Sequence, residues 1–390
     1  MRLNPAIAES PEYPLHRVAE FRRQALTRSG DLIDLSLGQP TEPVPAGIRA
    51  AIAAAIDPAS LSLYPQPGGT AELREAIAGW LRRRFGAAVD PEREVLPTLG
   101  AKEPIATLAR IFAGPADRIS LATPSYPVAE RSARLAGRDV ATQVLSSAGA
   151  WLPDPEAIPW GDVSVVWLVN PHNPTGAVAS PDLLAELAER CRGSGAIFAV
   201  DETYSEFWFA AAAPSSALEL ENRGGVVVFN SLSKRSGLAG LRSGFAAGDA
   251  RIIARLRELR RDVGTTPPAL VQRASAVVWE DDEHVAVARE RYSLRRRLLV
   301  EAAHRSGFEC AGGDAGLFVW LAVPGGEDEA AFEALLEHSL LTIPGSWLGA
   351  GGEGHLRLSI TPATDRVAAA ARIVEDATRP PRETAPARQA

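Results

Sequence analysis

From about Asp117 to Gly248 the chain alternates short β-branched runs with helical stretches, and that alternation restricts the fold more than any other feature. Arg118 to Ala122, Val163 to Val169, Ala196 to Val200 and Val226 to Phe229 are nearly continuous apolar runs of strand length. Such runs belong to strands covered on both faces. Between them, Pro127 to Ala136 and Pro181 to Arg192 repeat their apolar positions at three and four residues, the helical period. Strand, helix and strand in repetition build a mostly parallel sheet, so the class is α/β.

The flanks follow a different pattern. Upstream, Ala71 to Phe85 and Lys102 to Phe112 read as helices, and Leu32 to Leu37 as a short strand. Downstream, Asp249 to Val263 and Leu270 to His304 are long Arg-rich helical stretches, then strands are expected around Leu317 to Val323 and His355 to Ile360 and a final helix over Asp365 to Ala377. A single core stops growing at about 250 to 300 residues, so a chain of 390 divides. The expected division is an N-terminal arm that also supplies part of a small domain (1–40), a large domain (41–275), a smaller α+β domain (276–378) and a disordered, Pro-, Ala- and Arg-rich tail (379–390).

Composition removes several functions. There is no apolar run of the roughly 20 residues a membrane span needs. Six His without ligand spacing and two Cys, Cys191 and Cys310, give neither a metal cluster nor a disulfide framework, so no metal is expected and a reducing cytoplasm is the expected compartment. A net charge of −7 argues against nucleic acid as partner, which needs a concentrated basic face. A small-molecule substrate is expected instead.

The basic residues are more informative: of 41, 39 are Arg and two are Lys, Lys102 and Lys234. Guanidinium replaces ammonium on a solvated surface, but not where a neutral amine must act as a nucleophile. Lys234 lies in Ser231-Leu232-Ser233-Lys234-Arg235-Ser236, directly after the run Val226 to Phe229, and Arg242 follows eight residues on. A strand end delivers the lysine to the carboxyl edge of the sheet, where open α/β sheets bind ligands. Ser231, Ser233 and Arg242 form a candidate phosphate clamp. An amine beside a phosphate site points to pyridoxal phosphate, held as a Schiff base.

Four further elements accompany it. Thr98 to Pro104 brings Gly100, Ala101 and Lys102 into a helix start, whose free N–H groups suit a phosphate; a plain turn is the ordinary alternative. Asp201 closes the run Ala196 to Val200 and is followed by Tyr204. A carboxylate leaving a buried strand needs a cationic partner, and a pyridinium nitrogen is one, although a helix cap would also explain it. Asn173 sits in Asn170-Pro171-His172-Asn173-Pro174-Thr175-Gly176, where two Asn-Pro pairs stiffen the loop and Asn173 is placed to bond a phenolic oxygen. Tyr126 is a candidate for stacking on the pyridine, or a surface aromatic at a turn.

With these segments in this order, the chain resembles the fold-type-I, pyridoxal-phosphate-dependent class I/II aminotransferases from about Asp34 to Asp376. Gly100-Ala101-Lys102-Glu103, Asn170 to Gly176, Asp201-Glu202-Thr203-Tyr204, Ser231 to Lys234 and Leu356-Arg357-Leu358-Ser359 carry the resemblance. It implies a seven-stranded-type large-domain sheet with a smaller α+β domain. It also implies that Lys234 binds the cofactor and moves the proton, Asp201 pairs the ring nitrogen, Tyr204 and Asn173 bond the ring oxygen, and Tyr126 stacks. Ala101, Lys102, Ser231, Ser233 and Arg242 would hold the phosphate; Arg357, Gly38 and Asn173 would hold the substrate α-carboxylate. Tyr64 looks like the family's tyrosine that reaches the neighbouring subunit's phosphate, which implies a homodimer with shared active sites.

Within the family, the segment Ser231 to Asp249, Tyr64-Pro65 and Glu94 to Pro97 look most like succinyldiaminopimelate aminotransferases of lysine biosynthesis. The implied reaction moves an amino group between a glutamate-type amino acid and a keto acid. Related enzymes divert the same carbanion into β- or γ-elimination, replacement, annulation or oxidation, for example on a γ-activated amino acid such as S-adenosylmethionine, and that is the alternative. Thr203 stands where the succinyldiaminopimelate enzymes often carry Cys, and Trp151, Trp208 and Trp347 are expected to reshape the pocket. Two other patterns lead nowhere: Ser231-x-x-Lys234 lacks the later Lys-Thr-Gly of penicillin-interacting enzymes, and the glycines of Gly349 to Gly354 precede a strand, not the helix of a dinucleotide site.

Overall fold

Residues 14–29, 31–56, 61–114 and 116–377 are described by the computed structural model. The expected disordered tail, 379–390, lies outside them. In chain order the strands are β1 (Ile33–Asp34), β2 (Val95–Thr98), β3 (Arg118–Thr123), β4 (Asp139–Val144), β5 (Val163–Val169), β6 (Ile197–Asp201) and β7 (Val226–Ser231). They continue as β8 (Gly244–Gly248), β9 (Glu309–Cys310), β10 (Phe318–Ala322), β11 (Leu340–Leu341), β12 (Ile343–Pro344) and β13 (His355–Ser359).

The apolar runs become central strands because their side chains supply two cores at once. Along β5, Val166 and Leu168 enter one core while Val165, Trp167 and Val169 enter the other. The same alternation sends Val226 and Val228 of β7 to one side and Val227 and Phe229 to the other. The result is a seven-stranded sheet in the order β2-β8-β7-β6-β5-β3-β4. Pairing is parallel from β4 through β7, and β8 alone is reversed, antiparallel to both β7 and β2.

The carboxyl ends of β2, β3, β5, β6 and β7 therefore share one edge. Because β8 runs backwards, its amino end reaches that edge too, and Arg242, two residues before it, arrives beside the loop that follows β7.

Three of the seven strands, β2, β4 and β8, have no counterpart in the sequence reading. The strand expected over Leu32 to Leu37 is reduced to β1, which pairs in parallel with β11 outside the large sheet. Leu270 to His304 is broken into the helices Ala269–Glu280 and Glu283–Arg305. The cause is the pair Asp281-Asp282: Asp281 is extended, and its Oδ1 accepts from the His284 amide at 3.2 Å, as a capping side chain does.

Helix Ala269–Glu280 packs on helices Ala71–Phe85 and Ala46–Ala54, whereas Glu283–Arg305 packs on Thr364–Ala377, β9 and β10. The boundary expected at 275/276 falls inside the first of these helices. A second, antiparallel sheet, β12-β13-β10-β9, shares its core with Val18, Ile33 and Leu35 from the amino-terminal segment. Gly349 to Gly354 form the turn that leads into β13. Among the described residues no helix is long and apolar enough to cross a membrane.

Candidate active site

A cavity of about 400 Å³ opens at the carboxyl edge of the large sheet, between the ends of β6 and β7 and the small antiparallel sheet. All of the expected site residues except Tyr64 line it. Chain connectivity explains this, since each follows a strand of the same parallel set or, for Gly38 and Arg357, comes from the other unit.

β7 ends at Ser231, whose side chain accepts from the Ser233 amide at 3.3 Å and so starts the single-turn helix Leu232–Arg235 that carries Lys234. The ammonium donates to the carbonyl of Gly38, 196 residues earlier in the chain. Burial pulls the Lys234 amine down to about 8, helped by the guanidinium of Arg357 and opposed by the carboxylate of Asp201. At neutral pH an appreciable fraction is therefore the neutral amine, far more than for an ordinary lysine.

Its neighbour Arg235 is fully buried between Trp80 and Trp279, at 5.6 and 5.1 Å, and donates to the Val278 carbonyl at 3.0 Å and the Asp281 carbonyl at 2.9 Å. These contacts pin the backbone of the lysine turn from behind.

Asp201 ends β6 deep in the cavity, and burial holds its carboxyl above the ordinary range. The Thr203 hydroxyl and the Thr203 amide, at 3.1 Å, both donate to it. Tyr204, buried beside it, receives a hydrogen bond from Asn173 Nδ2 at 3.3 Å. Asn173 Oδ1 in turn accepts from Arg357 Nη1 at 3.0 Å, and Arg357 Nη2 donates to the Ser36 carbonyl at 2.7 Å. The guanidinium lies over the Phe318 ring at 4.1 Å. Asn173 thus joins the tyrosine to the arginine.

On the other side of Lys234, Arg242 takes a left-handed backbone, φ 53°, unusual for a non-glycine residue, and donates to the carbonyls of Leu99 and Ala239, each at 3.1 Å. This places its guanidinium against the turn before helix Lys102–Phe112, which Ala101 precedes as the N-cap residue. The Lys102 ammonium lies 5.5 Å from the centre of the Tyr126 ring. Ser231, Ser233, Arg242 and the helix start at Ala101 and Lys102 all line the cavity.

This donor set fits pyridoxal phosphate. The Arg, the hydroxyls and the helix start match a phosphate; a buried carboxylate hydrogen-bonded through Thr203 matches a protonated ring nitrogen, and an amine of lowered basicity matches the aldehyde.

Tyr64 is elsewhere. It is fully exposed in the single chain, beside the exposed Leu61 and Leu63. The tryptophans also depart from expectation, for none of Trp151, Trp208 and Trp347 belongs to the wall of this cavity. Trp151 is packed against Trp320 at 5.9 Å and His355 at 5.2 Å, and its indole bonds the Ala311 carbonyl at 2.6 Å. Trp208 lies under the guanidiniums of Arg84 and Arg289, at 4.6 and 3.7 Å. Trp347 lines a neighbouring cavity. The wall instead includes Trp167, Phe318 and Leu348, which the sequence reading did not name. Trp167 had a readable signal: it alternates with Val165 and Val169 on one face of β5.

Comparison with known proteins agrees with this geometry. The family described as aminotransferase class I and II matches over residues 30–373. The 4-dedimethylamino-4-oxo-anhydrotetracycline transaminase OxyQ of Streptomyces rimosus is 38% identical over 367 residues, 93% of this chain and 98% of that protein. An LL-diaminopimelate aminotransferase of Dehalococcoides mccartyi is 33% identical over 94% of this chain and 96% of its own length. Among solved structures, an aminotransferase from Neisseria meningitidis superimposes with a TM-score of 0.89 at 30% identity, over 97% of this chain and all (100%) of that one.

Proposed function

The chain belongs to the class I and II aminotransferases, enzymes that act with pyridoxal phosphate, and from that premise we propose that Lys234 is the cofactor-binding and proton-moving residue of a transaminase for an acyl-diaminopimelate-like amino acid, with a glutamate-type partner. The observation that carries it is the buried Lys234 amine, lowered to about 8, in one cavity with Asp201, Arg242 and Arg357.

When bound, the cofactor supplies an aldehyde that takes up the amino nitrogen and a ring that spreads the electron pair left at Cα. Asp201 holds the ring nitrogen protonated, and Thr203 keeps that carboxylate oriented. Tyr204 and Asn173 would hydrogen-bond the ring oxygen, and Tyr126 would pack against the ring. Ser231, Ser233, Arg242 and the amides of Ala101 and Lys102 hold the phosphate. Arg357 grips the α-carboxylate in its planar fork, with Asn173 and Gly38 beside it. The neutral Lys234 amine would take the proton from the substrate Cα and hold it on its own nitrogen.

Tyr64 is assigned to a partner subunit's phosphate, which makes the enzyme a homodimer; its full exposure in the single chain supports that assignment. The similarity to the tetracycline transaminase favours a second acceptor, a bulky cyclic ketone.

Borohydride reduction of the loaded protein followed by peptide mass spectrometry tests the reading. The cofactor's mass is expected on the peptide containing Lys234, and Lys234→Ala is expected to lose both that mass and the visible absorbance. Retained absorbance in the variant would sink it. The rate of cofactor attachment to the wild-type protein should rise with pH through about 8, where the amine loses its proton.

A further inference from the structure

Behind the helix start at Ala101 and Lys102 lies a buried ion pair that takes no part in the wall of the cavity. Arg260, on helix Ala250–Val263, is 2% exposed. Its Nε and Nη2 donate to the two carboxylate oxygens of Glu103 at 3.2 and 2.6 Å, a two-pronged pairing. Its Nη1 donates to the carbonyls of Pro97 at 2.5 Å and Pro67 at 3.2 Å. One guanidinium therefore ties together the end of β2, the first turn of helix Lys102–Phe112 and the segment that follows Tyr64.

Glu103 passes this constraint on to the cavity. Its Oε2 also accepts from the Leu99 amide at 3.1 Å, reaching back as the acidic half of a capping box does. The Leu99 carbonyl in turn accepts from Arg242 Nη2 at 3.1 Å. Leu99 is thus held through its N–H by the carboxylate, and through its carbonyl it holds the guanidinium assigned to the phosphate. The turn has little slack, for Gly100 stands at φ 74° and a Cβ there would lie 2.9 Å from Arg242 Nη2. The series Arg260, Glu103, Leu99, Arg242 runs from the protein interior to the wall where Arg242, Ala101 and Lys102 stand.

We propose that Arg260 and Glu103 are positioning residues of the phosphate seat. They fix the turn from Leu99 to Lys102 so that Arg242 and the helix-start amides address one phosphate, and they thereby make the protein select pyridoxal phosphate over pyridoxal, which lacks only that group. The inference rests on the pyridoxal-phosphate reading of the cavity and deepens it. Neither residue touches the cofactor, so their loss weakens the hold on the phosphate and leaves the amine of Lys234 and the carboxylate of Asp201 in place.

The test titrates the full chain, freed of cofactor, with each of the two aldehydes and follows the visible absorbance of the attached aldehyde. Removing one member of a buried pair leaves a lone charge and can unfold the chain, so both are neutralised together in R260Q/E103Q, whose two amides can bond each other. The Kd of pyridoxal phosphate is expected to rise about 10- to 100-fold, the size of one or two weakened charge-assisted hydrogen bonds. The Kd of pyridoxal should stay within about twofold, which also shows that the variant folds.

Arg260→Lys keeps the charge without the fork; it should lose about three- to tenfold in pyridoxal phosphate affinity, again sparing pyridoxal, and it carries the test should the double variant not fold. At saturating pyridoxal phosphate, kcat of either variant should return to within about threefold of the parent. Equal weakening for both aldehydes, no weakening for either, or a kcat that stays low at saturation would overturn the proposal. Failure of either aldehyde to give visible absorbance with the parent protein would instead defeat the reading of Lys234.

Discussion

The two sides of the cavity are built by different means. On the large-sheet side, Asn173, Asp201 and the Ser231 to Lys234 turn follow three adjacent parallel strands, so strand register alone places them. On the other side, Arg357 sits on β13 and reaches the Ser36 carbonyl 321 residues away, while Gly38 accepts from Lys234 across 196 residues. The first side is fixed by local sequence and hydrogen-bond ladders; the second depends on how the two units meet. Damage to the first should therefore appear in kcat and in cofactor chemistry, and damage to the second in KM.

The sharpest test of that division is Asp201→Asn, which keeps the shape and removes the charge. It should bind cofactor yet lower kcat by roughly 10³-fold, as removal of a central electrostatic group does. Exchange of the Cα hydrogen in deuterated water measures the step directly, and exchange at the parental rate would erase the contrast.

Arg357→Lys is expected next, with KM for donor and acceptor raised about 100-fold and a smaller change in kcat, because an ammonium cannot reproduce the two-pronged grip. A third variant, Gly38→Ala, would put a methyl group 2.4 Å from Cζ of Phe318. The ring must leave its place under Arg357, and KM should rise about tenfold with a stability loss of about 1–3 kcal/mol. A change in kcat alone would contradict the assignment of Gly38 to the substrate side.

The smallest effect at neutral pH belongs to His172, buried in the loop after β5 with Nδ1 2.8 Å from Thr175 Oγ1. Burial lowers its imidazole to about 4 from 6.5. Between those values the unfolded chain binds a proton that the native chain refuses, so stability falls as the pH drops through that window, by up to about 3 kcal/mol. Urea midpoints at pH 7, 5 and 4 should show that decline in the parent and a flatter profile in His172→Asn.

What the sequence disclosed follows the same division. β3, β5, β6 and β7 were legible because both of their faces are buried and their apolar runs are continuous. β4 was not: as an edge strand, Asp139 to Val144 alternates exposed and half-buried side chains and has only Ala141 buried. β8 was hidden for the opposite reason. Its Gly244 and Gly248 have no room for a Cβ, which would lie 2.5 Å from the Asn230 carbonyl oxygen and 2.2 Å from that of Val226, so close backbone contact replaced the β-branched signature.

The motifs that line the cavity could be read because each is compact in sequence. Phe318 and Leu348 could not, since nothing near them in sequence says which wall they face; only the packing of the small sheet brings them to Arg357 and Tyr126. Leu270 to His304 read as one helix because Ala269–Glu280 and Glu283–Arg305 share one helical pattern, and the break depends on two aspartates alone.

The reversed last strand has an architectural consequence. Ser231 and Gly244 face each other as a ladder pair, so the segment that bears Lys234 and Arg242 starts and finishes at the same rung. Such a closed excursion can change length or be exchanged as a cassette at little entropic cost and without shifting any strand beneath it. The scaffold can thus acquire new chemistry there while its hydrogen-bonded frame stays as it is.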